Sequence, residues 1–430
     1  MPDDPKENSH PADIADRLER MPADESARAF REMPHEEAAA VLGEVEEGAR
    51  PELVEELTSD ELARLIREMP HDRAADVLAD VPAEKRGEIL GRLPQPERRQ
   101  VSNLLRYPPD TAGGIMTDQF ITLNADATVE QTLFDLQQRG EEWSADAVSY
   151  LYVVDDAQKL VGVMPLRELV FRRRDRRISE VMKRDVKHVW VEDDQEKIAQ
   201  LFDRYHYFGL PVLERDGRLV GVVSARQVIE VVQTEATEDM QLMVGLSGEE
   251  RVFTPWQKSI GTRLKWLAIN LVTAFLAGAV VGAFETTIKV WTALAIFLPI
   301  VAGQGGNAGI QTLTVIVRDM ALGELKEGWP ALRKELILGV LNGLAIGLLV
   351  GVAGYLWKGD LHLGLIVSVA MLLNMIAAAM AGVLVPVTLR AVRIDPALAS
   401  GIIVTTVTDV AGFFFFLGLA ALTWQWSHAG

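Results

Sequence analysis

The run VTTVTDVAGFFFFLGLA (404–420) holds one carboxylate, Asp409, inside an apolar stretch that extends over about 398–423. A central Asp costs about 2.5 to 3.5 kcal/mol to insert in a bilayer, so by default it marks an ion or proton path. Thr405 lies one turn earlier, and Thr406 and Thr408 add hydroxyls. A structural Asp satisfied by a neighbouring helix is the competing explanation. A second polar group lies in LPIVAGQGGNAGIQTLTVIV (298–317), where Asn307 and Gln311 accompany Gly303, Gly305, Gly306 and Gly309 behind a proline. Glycines at that density expose backbone carbonyls where a wet cavity is lined, or else let helices pack closely; the two amides favour the cavity. Carboxylate, hydroxyl, amide and carbonyl oxygens, with no thiol and no histidine in any span, form a hard ligand set. It suits Mg2+, Ca2+ or Mn2+ better than zinc or copper. Mg2+ dehydrates reluctantly, so one Asp from each of two protomers could hold a largely hydrated ion through its waters.

These residues need membrane helices to position them. Five apolar runs, about 264–284, 291–317, 336–357, 364–389 and 398–423, each meet the roughly 20 residues a span requires. Lys258, Arg263 and Lys265 precede the first; Arg318, Lys326, Arg333 and Lys334 follow the second; Arg390 and Arg393 follow the fourth. The other side carries only Lys289 and Lys358. The positive-inside rule therefore expects the N-terminal part in the cytoplasm and the C-terminus outside a plasma (inner) membrane. An odd number of spans with one deep carboxylate suggests a symmetric homodimer as the working unit. Glu285, at the outer end of the first span, is the only other acid expected near the apolar zone.

The rest of the chain is acidic. Of 43 Lys+Arg and 61 Asp+Glu, residues 256–430 hold 11 and 8, which leaves 32 and 53 for the first 255 residues. That imbalance argues against nucleic acid as a partner and for cations, although a solvated acidic surface is the commoner outcome. There is no cysteine, so thiolate metal sites, disulfides and thiol catalysis are excluded. MPDDPKENSH lacks the apolar core of a secretory signal. The pairs Met21-Pro22, Met33-Pro34, Met69-Pro70, Val81-Pro82 and Leu93-Pro94 recur at multiples of twelve, and EMPHEEAAAVL (32–42) nearly repeats as EMPHDRAADVL (68–78). Proline in a first turn followed by acids and helically spaced aliphatics predicts short helices stacked into an α-solenoid over 1–107, with Asp72 and Asp76 on one helix face.

After PPDTAGG (108–114) come two similar units, IMTDQFITLNADATVEQTLFDL…YLYVVDDAQKLVGVMPLREL and VMKRDVKHVWVEDDQEKIAQLFDRYHYFGLPVLERDGRLVGVVSARQV. Each reads strand, helix, Val-rich strand, Asp-rich turn, strand, helix. This α/β pattern resembles a tandem pair of CBS domains over 108–233, divided at about 115–180 and 181–233, and the basic FRRRDRR (171–177) between them reads as a solvated linker. Such pairs are sensing modules that often bind adenosine nucleotides, and the resemblance implies no catalysis. A polar, helix-compatible connector follows over 234–262; its Glu235, Glu238 and Asp239 stand at i, i+3 and i+4 on one face.

The layout of superhelical N-domain, CBS pair, charged connecting helix and five-span all-α domain (263–430) resembles the MgtE family of magnesium channels. GGNAGIQ (305–311), DPALASG (395–401), TTVTDVAG (405–412) and TEATED (234–239) carry the resemblance. It implies a multidomain, non-enzymatic membrane protein. Asp409 corresponds to the pore aspartate that holds hydrated Mg2+, with Thr405 at the neighbouring carbonyl position and Asn307 at the second-span asparagine. The TEATED helix looks like the family's plug helix. The resemblance implies that Glu235, Glu238 and Asp239 bind regulatory Mg2+ with Asp194, Glu196 and Glu230 of the second CBS domain and Asp72 and Asp76 of the solenoid. At low internal Mg2+ these acids repel and the cytosolic domains separate; at high Mg2+ the ions bridge them and the gate shuts. His206 and Gln227 stand where relatives can carry acids, and Ile310 replaces a polar amide. Tyr150, Arg167, Glu168 and Tyr207 resemble an adenine-nucleotide pocket for ATP, with Glu168 and Tyr207 altered in type. The alternatives are a divalent cation exchanger coupled to H+ or Na+ through Asp409, a sensor that transports nothing, and an intramembrane aspartyl hydrolase, whose chemistry needs two adjacent carboxylates.

Overall fold

The computed structural model describes residues 10–46, 48–138, 149–248, 250–252, 254, 256–325 and 328–428, without the side chains of Lys258 and of residues beyond 423. Lys326 and the Lys258 side chain, counted above for orientation, therefore lie outside the described residues. The chain divides into two compact units, Met1–Thr234 and Glu235–Gly430.

The first unit opens with α1 (Pro11–Leu18), α2 (Ala23–Glu32), α3 (His35–Glu44), α4 (Arg50–Glu56), α5 (Ser59–Glu68), α6 (His71–Ala79), α7 (Ala83–Arg92) and α8 (Gln95–Leu104). The repeated prolines do not sit in the first turn, as the spacing suggested, but one step earlier. Pro22, Pro34, Pro70, Pro82 and Pro94 are N-caps with φ between −52° and −56°, so the ring fixes the entry angle of each helix. Where the proline is missing, Thr58 and Glu61 form a reciprocal capping box instead. Helices pack two apart along the chain, α1 on α3, α3 on α5, α5 on α7, α2 on α4 and α6 on α8, which is solenoid stacking. Small and aliphatic residues such as Ala38, Val41, Leu42, Leu62, Val77 and Leu78 are fully buried between them.

A one-turn helix, α9 (Ala112–Ile115), leads into two three-stranded sheets. In the first, β1 (Ile121–Asn124) pairs parallel with β2 (Tyr150–Val154), which pairs antiparallel with β3 (Leu160–Pro165); α10 (Val129–Gln138), α11 (Leu166–Phe171) and α12 (Ile178–Val181) flank it. The second repeats the order with β4 (Val189–Trp190), α13 (Gln195–Tyr205), β5 (Gly209–Leu213) and β6 (Leu219–Ser224), followed by α14 (Ala225–Met243). The LVGV glycine is spatially necessary in both copies. A Cβ on Gly162 would strike Met182, and one on Gly221 would strike Met116.

In the second unit the connector is not one helix. The division between units falls inside α14, whose last turns end at Met243; the chain then turns at Gly245 (φ +79°) and re-enters helix only at Trp256. Glycine suits that turn because the left-handed region carries no Cβ penalty. Then come α15 (Trp256–Ala283), α16 (Glu285–Val290), α17 (Leu294–Ala321), α18 (Gly328–Lys358), α19 (Leu361–Ala391) and α20 (Ser400–His428). Among the described residues four helices, α15, α18, α19 and α20, are long and apolar enough to cross a membrane. The fifth, α17, has 28 residues but is interrupted by Gln304, Asn307 and Gln311. At the centre, α19 packs against α17, α18 and α20. Gly339, Gly343, Gly347 and Gly351, one every four residues, let the α18 backbone approach that of α19.

Candidate ion path

Asp409 lies half-buried on α20, a helix that packs on α17. Of the two readings of the 303–309 glycines, carbonyls exposed to a cavity or close helix packing, the chain does not adopt the first. α17 is continuous helix from Leu294 to Ala321, with Pro299 inside it. Two of its glycines serve packing: a Cβ on Gly305 would collide with Asn374, and one on Gly309 would fall 2.6 Å from Val404. Gly303 has open space around it, and Gly306 faces Thr405 and Thr408 at ordinary contact distance. What lies open on α17 is side chain rather than carbonyl. Gln304, Asn307, Gln311 and Thr314 are all exposed, and their spacing of three, four and three residues aligns them on one face. The hydroxyls of α20 are turned inward: Thr405 donates to the Gly401 and Ile402 carbonyls at 3.0 and 3.1 Å, and Thr408 donates to the Thr405 carbonyl at 2.9 Å.

Three polar residues of the membrane unit escaped the sequence reading. Asn374 of α19 is completely buried, donates to the Val301 carbonyl at 2.9 Å and fills the slot left by Gly305 and Gly412. Its signal was present, a lone amide amid apolar residues of a span. Glu335 of α18 is 6% exposed, accepts from Thr312 at 2.9 Å and lies 3.2 Å from Lys334, so Glu285 is not the only second acid. It was missed because it stands just before the apolar run. Asp395, within the DPALASG stretch, is the third.

Asp395 matters through α14. The end of that helix abuts the start of α20: the Ala399 amide donates to the Leu242 carbonyl at 2.9 Å, and Gly401 makes room for the Met243 carbonyl. Leu242 shares an apolar cluster with Leu313, Val317, Ala381, Ala397 and Val404, with Ile310 packed against it. Ile310, odd as a replacement for an amide, is thus part of the surface that receives α14. Beside this contact the Asp239 carboxyl is pushed up to about 7, by burial first and then by Asp395, Glu235 and Glu238. The charges that shift it are all negative, which is the electrostatic setting a cation relieves.

The acids expected in the first unit are answered differently. Glu230 is met by Arg73 at 2.6 Å and by Arg226 at 3.5 Å. Asp72 accepts from Gln227 at 3.3 Å through one oxygen, while its other, buried oxygen has no hydrogen-bond partner among the described residues. Asp194 caps α13 by accepting from the Glu196 amide at 2.8 Å. Asp76 lies near Arg73. Among the described residues no three His, Asp or Glu side chains are grouped to hold a metal ion. His206 is a left-handed helix cap (φ 53°), and Gln227 turns its oxygen to the Ser224 amide at 2.8 Å. The proposed nucleotide residues are divided. Tyr150 lines a cavity of about 630 Å³ bounded by Asp72, Arg73, Phe208 and Arg226. Arg167 and Glu168 line another of about 320 Å³, where Glu168 is held by Lys183 at 2.9 Å and Arg172 at 3.1 Å. Tyr207 packs on Tyr205.

A helical solenoid, a tandem CBS pair and a bundle of apolar helices that carries a half-buried carboxylate define a multidomain membrane protein of the transporter class. The family profiles agree: the MgtE intracellular N domain matches residues 9–110, CBS domains match 112–175 and 178–234, and the divalent cation transporter domain of MgtE matches 298–419. The magnesium transporter MgtE of Thermus thermophilus is 34% identical over 76% of this chain and 72% of its own length. That of Bacillus subtilis is 31% identical over 75% and 72%. A crystal structure of the cytosolic domain of the Mg2+ channel MgtE in complex with ATP covers 52% of this chain and 91% of its own, at 30% identity and a TM-score of 0.48. The chain belongs to the MgtE family.

Proposed function

We propose that this protein carries Mg2+ across the inner membrane as a channel, and that internal Mg2+ shuts it. Membership of a family of magnesium transporters supports the transport of Mg2+. The observation that carries the site is a half-buried Asp409 on α20 beside a helix whose exposed face is a row of amides and a hydroxyl. Such a row solvates an ion that keeps its waters, while the carboxylate supplies the charge that selects a cation. Entry is downhill: an inside-negative potential is worth roughly 2.3 kcal/mol per charge per 100 mV. No bond is made or broken in this reading, and two protomers, each giving one Asp409, complete the path. The N-terminal domains lie in the cytoplasm and the C-terminus outside.

Closure follows from the acids at the end of α14. With Asp239, Glu235, Glu238 and Asp395 crowded together, cytosolic Mg2+ binding there stabilises the docked helix end against the start of α20, the helix that bears Asp409. For the CBS pair, we propose that Arg167 and Glu168 line a cleft for an adenine nucleotide, a reading that titration with ATP decides. Channel and gate are tested by current in inside-out membrane patches while bath Mg2+ is raised from micromolar to millimolar levels. Mg2+ current that shuts as bath Mg2+ rises is expected. Electroneutral, pH-dependent or Na+-dependent uptake without current would replace the channel by an exchanger.

A further inference from the structure

Two buried polar side chains of the membrane unit have no part in the ion path described above. Asn374 of α19 is completely buried and donates to the Val301 carbonyl of α17 at 2.9 Å. Its own side-chain oxygen has no hydrogen-bond partner among the described residues. Glu335 of α18, 6% exposed, accepts from the Thr312 hydroxyl of α17 at 2.9 Å. Both bonds are seated against glycine. Asn374 fills the space left by Gly305 and Gly412, and a Cβ on Gly382 of α19 would lie 2.7 Å from the Thr312 Cβ. Their places along α17 are regular: Val301, Gly305 and Thr312 stand at i, i+4 and i+11, one stripe of a helix that turns about 100° per residue. The exposed row of Gln304, Asn307, Gln311 and Thr314 runs about a third of a turn away from that stripe.

We propose that Asn374 and Glu335 are positioning residues of the ion path: their two bonds, about three turns apart on α17, fix the rotation of that helix and so keep its amide row on the side of the path. Glycine faces let helices approach closely, but they carry few ridges to resist rotation about the axis. A directional bond supplies what the smooth face lacks, and a single buried amide can set helix register at a cost in stability. The unpartnered Asn374 oxygen is such a cost, which argues for register rather than stability as the role of this side chain. Without either bond the helices stay packed while α17 is free to turn, and its amides lose their fixed geometry toward a hydrated ion. The inference rests on the proposed path for what the row does, not for how the helix is held.

The native chain has no cysteine, so an introduced pair reports the rotation cleanly. A Cβ on Gly306 of α17 would stand 3.9 Å from the Thr408 hydroxyl oxygen of α20, so Gly306→Cys/Thr408→Cys lies within reach of a disulfide. In the full-length protein in nanodiscs this pair should oxidise readily. Adding Asn374→Leu or Thr312→Val, which keep the shape and lose the donor, should slow closure several-fold. Thr312→Ser keeps the hydroxyl and should close as the parent pair does. Equal rates throughout, failure of the parent pair to close, or slowing by Thr312→Ser but not by Thr312→Val would overturn the proposal. Thermal unfolding of Asn374→Leu should stay near that of the parent, because the buried oxygen leaves together with the donor. A large loss there would overturn the role of Asn374. In variants without the cysteine pair, the permeability ratio of Mg2+ over Na+, read from reversal potentials, should fall several-fold. Slowed closure with an unchanged ratio would leave the bonds holding α17 and remove its amide row from the path, so the two readings fail separately.

Discussion

The two units of this chain each hold a carboxylate cluster, and the two clusters are settled in opposite ways. In the first, carboxylates are answered by guanidiniums, as Glu230 by Arg73, Glu44 by Arg226 and Glu61 by Arg31, which holds the Glu61 carboxyl down at about 2. In the second, Asp239 sits among acids that push it up to about 7. A carboxylate already met by a guanidinium gains less from a divalent cation, whereas crowded charges of one sign give an element whose position depends on whatever neutralises it. An acidic composition alone therefore says little about where a cation acts; the distribution of arginines decides it.

The most severe way to test the comparison is to remove the deepest charge. Asp409→Ala should reduce Mg2+ uptake to the background of empty liposomes while leaving the melting temperature near that of the parent, since half-burial of an Asp at membrane depth is a burden on the fold rather than a support. Normal flux in that variant would place the path elsewhere. Next comes packing. A Cβ on Gly347 would lie 2.7 Å from the Ser368 carbonyl oxygen, part of the α19 backbone, so Gly347→Val should cost about 2 kcal/mol or more by overpacking. In the first unit, Gly43 on α3 has its nearest neighbour, Arg73 Cβ, at 3.8 Å, and Gly43→Ala should be neutral or stabilise by up to about 1 kcal/mol. Thermal unfolding in detergent separates the two, and equal effects would dissolve the contrast in packing.

Local periodicity explains what the sequence revealed of this fold. The twelve-residue proline repeat, the doubled strand–turn–LVGV signature and the long apolar runs each write their structure into neighbouring positions, and so the solenoid, the CBS pair and the membrane helices were readable. The glycines of 303–309 were not, because glycine composition is the same whether the backbone opens to water or packs on Asn374 and Val404. Asp409 stood out by its surroundings in sequence. Arg73 and Arg226 did not, since their partners lie 157 and 182 residues away. The same distance hid Asp395, which acquires meaning only once α14 ends beside the 395–401 turn.

The crowded acids give a pH prediction with a definite sign. The Asp239 value, raised from 3.8 to about 7, means the folded state holds its proton where the unfolded chain has lost it. The contribution of Asp239 to the docked helix end is thus least unfavourable below pH 4 and worsens as pH climbs to about 7 and beyond. Because Asp239 is only partly buried, the effect is discounted for solvent to about 1 to 2 kcal/mol, roughly tenfold in an equilibrium. In EDTA the exchange protection of the Ala399 amide, corrected for its intrinsic rate, should fall by that factor between about pH 5.5 and 8. Mg2+ should restore it at pH 8, and Asp239→Asn should make it flat. A parent profile already flat in EDTA would remove the crowding from the mechanism.

The smallest effect belongs to the paired unit and runs through His71. Its hydrogen bond to Asp118 is the leading cause that raises its affinity for a proton above the ordinary 6.5, with burial opposing and the charges of Asp118, Asp72 and Glu97 adding to the rise. A raised histidine contributes stability fully present below about 6.5 and lost as pH rises through its folded value. The solenoid contact should accordingly tighten slightly in acid, by well under 1 kcal/mol for a pair about one-fifth exposed. His71→Gln should erase that slope in thermal unfolding near neutral pH while leaving the contact in place, because Arg73 and Arg226 still bridge to Glu230 and Glu44. A variant that opened altogether would mean that the histidine, not the arginines, carries the docking, and the contrast between paired and crowded units would then rest on a titrating group in both.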